Sequence, residues 1–279
     1  MKLMKYMLAL LIAVLVGCGG DDKDGASGDA TTSAGKEGSI RSYNLSVEQQ
    51  QAGKRFLCDT LSLKEFILNN YPAGTYLVDF DRTYTTNVPK SAVVYYKYQN
   101  ATYIFGVVAK SKPGERFIET KNVTGYSSSF VNLDSTKLGT AFFWLTLFEC
   151  NQDGSFNVIW ESEVPIHGGF NKITINNWRP KSCMYVSLNY MDGIISGNRN
   201  YNFFLVDGLR NPPHLLETYE GLTHKRTMAN INNDKYPDYF EYRFSEGERI
   251  AIIDSIPFLW DTIKRLYISP VNKRWFRHY

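Results

Sequence analysis

Apolar residues run unbroken from Tyr6 to Val16 behind Lys2 and Lys5, give way to a long polar stretch, and then return in two different rhythms. The first run is too short to span a bilayer. Gly19 to Ile40 is dominated by Gly, Asp, Ser, Ala, Thr and Lys and holds no aromatic residue, so it has too little apolar surface to offset its chain entropy. The next rhythm is helical. Ser46 and Gln49 have capping-box spacing at the start of one short helix. Leu63, Phe66, Ile67 and Tyr71 then predict a second helix over Leu61 to Asn70, with Pro72 as its stop.

Beyond Pro72 the period shifts from 3.6 to 2. Short runs rich in Val, Ile, Tyr, Phe and Thr predict strands at Thr75 to Phe80, Ala92 to Tyr98, Thr102 to Ala109, Ala141 to Cys150, Phe156 to Glu161, Lys172 to Ile175, Met184 to Asn189 and Tyr201 to Val206. Gln99-Asn100 sits at hairpin distance between two aromatic strands, and Asn151-Gln152-Asp153-Gly154 links two more. No long helix alternates with the strands, which counts against a doubly wound α/β fold. The expected architecture is mainly β: an antiparallel β-sandwich or a small propeller-like sheet array, with one or two short N-terminal helices. No repeat of blade length is visible, which favours the sandwich.

The N-terminus carries an address. Lys2 and Lys5 form a positive n-region, Tyr6 to Val16 an apolar h-region, and Leu15-Val16-Gly17-Cys18 ends it with the small residue a signal peptidase needs. This resembles the lipobox of bacterial lipoprotein signal peptides. The resemblance implies that residues 1–17 are removed and that Cys18 becomes an acylated first residue holding the protein to a lipid bilayer. Residues 18–44 are then a lipidated flexible tether and residues 45–279 a β-rich globular domain. Asp21, Asp22, Asp24, Asp29 and Glu37 outweigh Lys23 and Lys36 in the tether. Acidic residues so placed resemble surface-export signals of some Gram-negative lipoproteins. Gly19, where enteric inner-membrane lipoproteins carry Asp, points to the outer membrane or the cell surface.

The formal charge is +3, and loss of Lys2 and Lys5 with the leader leaves +1. No strong field therefore argues for a nucleic-acid partner. Lys264, Arg265, Lys273, Arg274 and Arg277 crowd the C-terminus among Tyr267, Trp275, Phe276 and Tyr279, a pattern expected of a solvated terminal strand face. Apart from Cys18 there remain Cys58, Cys150 and Cys183, an odd number. Cys150 and Cys183 lie on strand-like segments of one region and are the expected disulfide, leaving Cys58 free. All three as buried thiols is the alternative.

One segment has metal-ligand spacing. In Asn230-Ile231-Asn232-Asn233-Asp234-Lys235-Tyr236-Pro237-Asp238-Tyr239-Phe240-Glu241, side-chain oxygens fall at positions 1, 3, 5, 9 and 12, with the Tyr236 carbonyl at position 7. The candidate ligands are thus Asn230, Asn232, Asp234, Tyr236, Asp238 and Glu241, and the expected cation is calcium. The segment resembles the loop of EF-hands, dockerins and the FG-GAP or VCBS repeats of integrin-like and bacterial surface proteins. A strand-like exit over Tyr239 to Phe244 favours the FG-GAP or VCBS type and turns Glu241 away from the ion. Lys235 stands at position 6, where such loops carry glycine, and puts a cation near the site. The competing reading is an Asn/Asp-rich turn held by its own side chains.

Enzyme signatures are sparse. His167-Gly168-Gly169 resembles an oxyanion turn of some esterases, yet the nearest thing to a nucleophile elbow, Gly125-Tyr126-Ser127-Ser128-Ser129, lacks its last glycine. His214, His224 and His278 show no metal-binding spacing. Asp79, Asp81, Glu161, Glu163, Glu217 and Glu220 are the carboxylates from which a secreted glycan-acting hydrolase could draw its pair. The favoured expectation is a surface-tethered, non-catalytic binding or structural module, with a glycan or an envelope protein as partner and calcium as stabiliser.

Overall fold

A computed structural model describes residues 45–46, 55–72, 75–80, 90–111, 141–165, 170–191, 197–245 and 250–277. The leader, Cys18, the tether, Asp81, Gly125 to Ser129, His167 and His278 lie outside the described residues, as does Gln49 of the expected capping box.

Helix α1 spans Thr60–Asn70, beginning one residue before its expected start. Its N-cap is Asp59, whose carboxylate accepts from the Ser62 amide at 2.7 Å and so satisfies a donor the first turn leaves open. Fourteen strands follow among the described residues. They are β1 (Tyr76–Leu77), β2 (Val93–Tyr98), β3 (Ala101–Ser111), β4 (Ala141–Cys150), β5 (Phe156–Val164), β6 (Phe170–Trp178) and β7 (Cys183–Met191). The rest are β8 (Asn198–Phe204), β9 (His214–Glu220), β10 (Lys225–Ala229), β11 (Asp238–Phe244), β12 (Ile252–Asp261), β13 (Leu266–Ile268) and β14 (Phe276–Arg277). Every pairing is antiparallel.

Strands β1, β3, β4 and β5 form one sheet in that order, with β2 also pairing β3, and β6 to β14 form a nine-stranded meander. The two sheets face each other across a common core, which makes the molecule a β-sandwich. Phe105, Leu145, Leu147 and Trp160 of the first sheet pack in that core with Phe170, Val186, Leu188 and Phe203 of the second. The rings of Phe143 and Phe170 meet edge to face across the interface at 5.3 Å.

The opposite face of the first sheet is covered too. Leu63 and Ile67 of α1 bury against Ile104, Val108 and Phe148. Strands β3 and β4 therefore divide their apolar residues between two cores, Phe105 and Val107 to one side and Ile104 and Val108 to the other. Burial on both faces explains why these strands read as nearly continuous apolar runs.

The disulfide corrects the expected pairing: Cys58 is bonded to Cys150, with Cα atoms 5.9 Å apart, and Cys183 is a buried free thiol. The reason is facial. Cys150 ends β4 on the face covered by α1, which Cys58 precedes, whereas Cys183 belongs to a different core. That third core, with Trp178, Phe204, Leu216, Tyr239, Phe258 and Tyr267, lies within the meander.

Strand β12 contains Pro257, opposite Phe240 of β11. Pairing of β12 with β13 covers only Leu259 to Asp261, so no partner on that side requires the missing amide hydrogen.

Candidate functional site

The segment with metal-ligand spacing is the connection between β10 and β11, and it folds around its own side chains. Asp238, the first residue of β11, is fully buried. Its Oδ2 accepts from the amides of Ile231 at 2.8 Å and Asn232 at 3.2 Å. The Asp234 amide donates to Asn232 Oδ1 at 3.1 Å, and the Tyr236 amide to Asp234 Oδ1 at 2.8 Å. These successive side-chain turns aim the oxygens of positions 3, 5, 7 and 9 at one centre.

An ammonium group occupies that centre. Lys181 Nζ lies 2.5 Å from the Tyr236 carbonyl oxygen and 3.3 Å from both Asn232 Oδ1 and Asp234 Oδ1. It is 3.9 Å from Asp238 Oδ2. Lys181 ends the single 3-10 turn Arg179–Lys181 between β6 and β7, and its side chain is only 7% exposed. The Trp178 ring flanks the ammonium at 5.6 Å. Burial pushes the Asp238 carboxyl above its ordinary range, against the two amides and the Lys181 charge that pull it down.

The remaining expected ligands are placed elsewhere. Glu241 turns away, accepting from Arg226 and from Arg277, each at 3.1 Å. Asn230 is exposed just after β10. Lys235 leaves the centre and pairs with Asp207. Four of the six expected ligands therefore converge, and their oxygen set suits a hard cation, but the position such an ion would take is filled by nitrogen. Among the described residues no group of three or more His, Cys, Asp or Glu side chains is placed to hold a metal.

An aromatic box backs the loop. The His214 ring packs against Trp260 at 4.5 Å, Tyr236 at 5.1 Å and Tyr267 at 5.8 Å. Tyr267 donates its hydroxyl proton to the Pro237 carbonyl at 2.9 Å, so His214 Nε2, 2.7 Å from the same hydroxyl, must be the donor to it. Burial lowers the His214 pKa to about 4, with Asp234 opposing the shift.

On the far side of Lys235 lies an open groove of about 580 Å³, lined among others by Tyr98, Asn100, Tyr103, Glu149, Asp207 and Arg210. One wall is the β2-β3 turn, where Gln99 has the left-handed φ of +53° that a two-residue hairpin requires. The other wall is the segment after β8, pinned by Trp160 Nε1 donating to the Leu209 carbonyl at 2.8 Å. Glu149 Oε1 accepts from Tyr103 at 2.9 Å and is paired with Arg210. Tyr98 is half exposed, its ring stacked on Tyr96 at 6.2 Å.

Four of the carboxylates expected to be available for catalysis are engaged, while Glu163 is exposed on β5. Asp79 accepts from Ser91 at 2.7 Å, and Glu161 from Lys110 at 2.5 Å and Tyr71 at 3.0 Å. Glu217 is held by Arg199 at 2.7 Å and Arg226 at 3.5 Å, and Glu220 by Lys225 at 2.6 Å. Arg277 lies over the Phe258 ring at 5.6 Å, so the basic C-terminal stretch is in part a strand face packed on the sheet.

Sequence reasoning missed Lys181 and the groove. The lysine approaches from a different hairpin, and nothing in Trp178-Arg179-Pro180-Lys181 marks it. The groove joins a turn to a loop far along the chain, a juxtaposition that no local pattern marks. Comparison with protein-family models, with curated proteins and with solved structures found no match.

Proposed function

We propose that the protein is a lipid-anchored lipoprotein of the cell envelope, held in the outer membrane or at the cell surface through acylated Cys18, whose β-sandwich is a non-catalytic binding module. The observation that carries the binding part is the groove: the Tyr98 ring stands beside Asn100, Glu149 and Arg210. An exposed ring face next to fixed hydrogen-bonding groups suits the ring faces and hydroxyls of a sugar. The partner class is accordingly an envelope glycan. Several supports favour binding over catalysis. Glu149 is already held by Tyr103 and Arg210, and Asp79, Glu161, Glu217 and Glu220 each have a partner of their own, Glu217 and Glu220 sharing β9.

Two measurements test the proposal. Cys18→Ser should move the protein from the membrane to the soluble fraction, and intact mass should show an acylated Cys18 in the unmutated protein. Persistence of the variant in membranes contradicts the anchor. Titration with soluble envelope glycan fragments should show binding that Tyr98→Ala weakens at least several-fold, with no new reducing ends appearing. Steady release of reducing ends would make the protein a hydrolase.

A further inference from the structure

We propose that the Lys181 ammonium is the resident cation of the 230–238 loop, so that the loop is locked without metal and removal of this one side chain uncovers a latent calcium site.

The match between ammonium and cup is stoichiometric. A lysine has three N–H donors and no acceptor. Nζ finds three acceptors within hydrogen-bonding distance, the Tyr236 carbonyl at 2.5 Å and Asn232 Oδ1 and Asp234 Oδ1 at 3.3 Å. A fourth oxygen, Asp238 Oδ2, supplies charge at 3.9 Å. A buried ammonium persists only when paired and hydrogen-bonded, and this one is both.

The same geometry disfavours calcium in the unmutated protein. Calcium takes six to eight oxygens at about 2.3–2.6 Å, whereas four protein oxygens face this centre. The ligand that would add most is Glu241, and it is committed to Arg226 and Arg277. A divalent ion entering the cup would also have to expel a charge of the same sign from a nearly closed position.

Because the cation is part of the chain, its occupancy does not depend on the surrounding calcium. The loop and the Lys235–Asp207 pair that ties it to the groove wall would keep their shape in calcium-poor surroundings.

Without Lys181 the remaining groups resemble a weak extracellular calcium loop. Asp234 and Asp238 keep their charges, Asn232 and the Tyr236 carbonyl keep their directions, and water can complete the shell. Affinity should then fall near the weak end of the natural range, on the order of 10⁻⁴ to 10⁻³ M.

The test uses the detergent-solubilised full chain and calcium chloride. Unmutated protein should melt at the same temperature with millimolar calcium and with chelator. Lys181→Met should melt lower, and calcium should recover part of the loss. Lys181→Met combined with Asp234→Ala should show no recovery. A melting temperature that calcium raises in the unmutated protein would overturn the proposal, as would a Lys181→Met variant that melts like the parent or that calcium fails to rescue. If Lys181→Met does not fold, terbium with the unmutated protein decides: Trp178 lies close enough to sensitise an ion in the cup. Absence of sensitised emission supports an occupied centre. Emission that Asp234→Ala abolishes contradicts it.

Discussion

Lys235, at the loop position where calcium loops usually carry glycine, is ion-paired with Asp207 on the wall of the groove. Two features that lie apart in the chain are thus mechanically joined. On one side of the pair, the cup oxygens close on Lys181. On the other, the Leu205 amide donates to the Met184 carbonyl and Trp160 holds the Leu209 carbonyl, fixing the segment that presents Arg210. Both partners are about half exposed, so salt screens the attraction between them and the pair acts mainly to position the two segments.

His214 sets a pH limit on the region behind the cup. An unfolded histidine titrates near 6.5, and burial lowers this one to about 4 in the folded protein. The unfolded chain therefore binds the proton more readily. The resulting stabilisation is complete above pH 6.5 and is lost progressively down to about pH 4, amounting to roughly 3 kcal/mol over that window. Asp238 works in the opposite sense, because burial raises its carboxyl and acidification favours the folded form. The two are separated by comparing melting temperature against pH for the unmutated protein and for His214→Phe, which keeps an aromatic ring in the box. The variant should show a shallower loss between pH 6.5 and pH 4, and parallel curves would mean that His214 titrates normally.

The bond between Cys58 and Cys150 spans 92 residues of sequence and fastens the start of α1 to the end of β4. Opening it frees a long loop in the unfolded chain, so Cys58→Ser should lower stability by about 2–5 kcal/mol. Chemical denaturation of the variant measures this directly. Labelling of the unmutated protein under denaturing, non-reducing conditions should modify Cys183 and leave Cys58 and Cys150 unmodified.

Arg226 is the most enclosed cation of the meander, 6% exposed between Glu217 at 3.5 Å and Glu241 at 3.1 Å. The rings of Tyr219 and Tyr239 lie at 4.8 Å and 4.5 Å from its guanidinium. Removing it takes one of two cationic partners from each of two partly buried carboxylates, leaving Glu217 with Arg199 and Glu241 with Arg277, and empties the space between the two rings. Arg226→Ala should cost about 3–5 kcal/mol, and Arg226→Ala with Glu217→Gln and Glu241→Gln should recover much of that loss. Equal stability of the single and triple variants would show that the remaining partners and solvent satisfy the carboxylates.

The first sheet was the most legible part of the sequence. Phe105, Val107, Leu145 and Leu147 alternate with residues of the opposite face, and Gln99-Asn100 and Asn151 to Gly154 are turns whose residue types state their geometry. The second half of the meander was less legible. Strand β9 mixes His214, Glu217 and Glu220 with Leu215 and Leu216, and β12 carries a proline, so neither shows clean alternation. Of the loop, side-chain spacing named six oxygens, of which those of Asn232, Asp234, Tyr236 and Asp238 converge, while Asn230 and Glu241 lie elsewhere. The occupant was hidden: Lys181 is 53 residues from Asp234, and its approach depends on how β6 and β7 lie against β11. The disulfide failed for a related reason. Strand assignment put Cys150 and Cys183 in one region but could not say that they face different cores.

The occupant of the cup can be seen directly in a crystal of the protein grown in millimolar calcium. The density at the centre should run continuously into the side chain of Lys181, ending in a nitrogen within hydrogen-bonding distance of the Tyr236 carbonyl, Asn232 and Asp234. A separate anomalous peak about 2.3–2.6 Å from those oxygens and from Asp238, with Lys181 turned out to solvent, would contradict an internal cation and make the loop an ordinary calcium site.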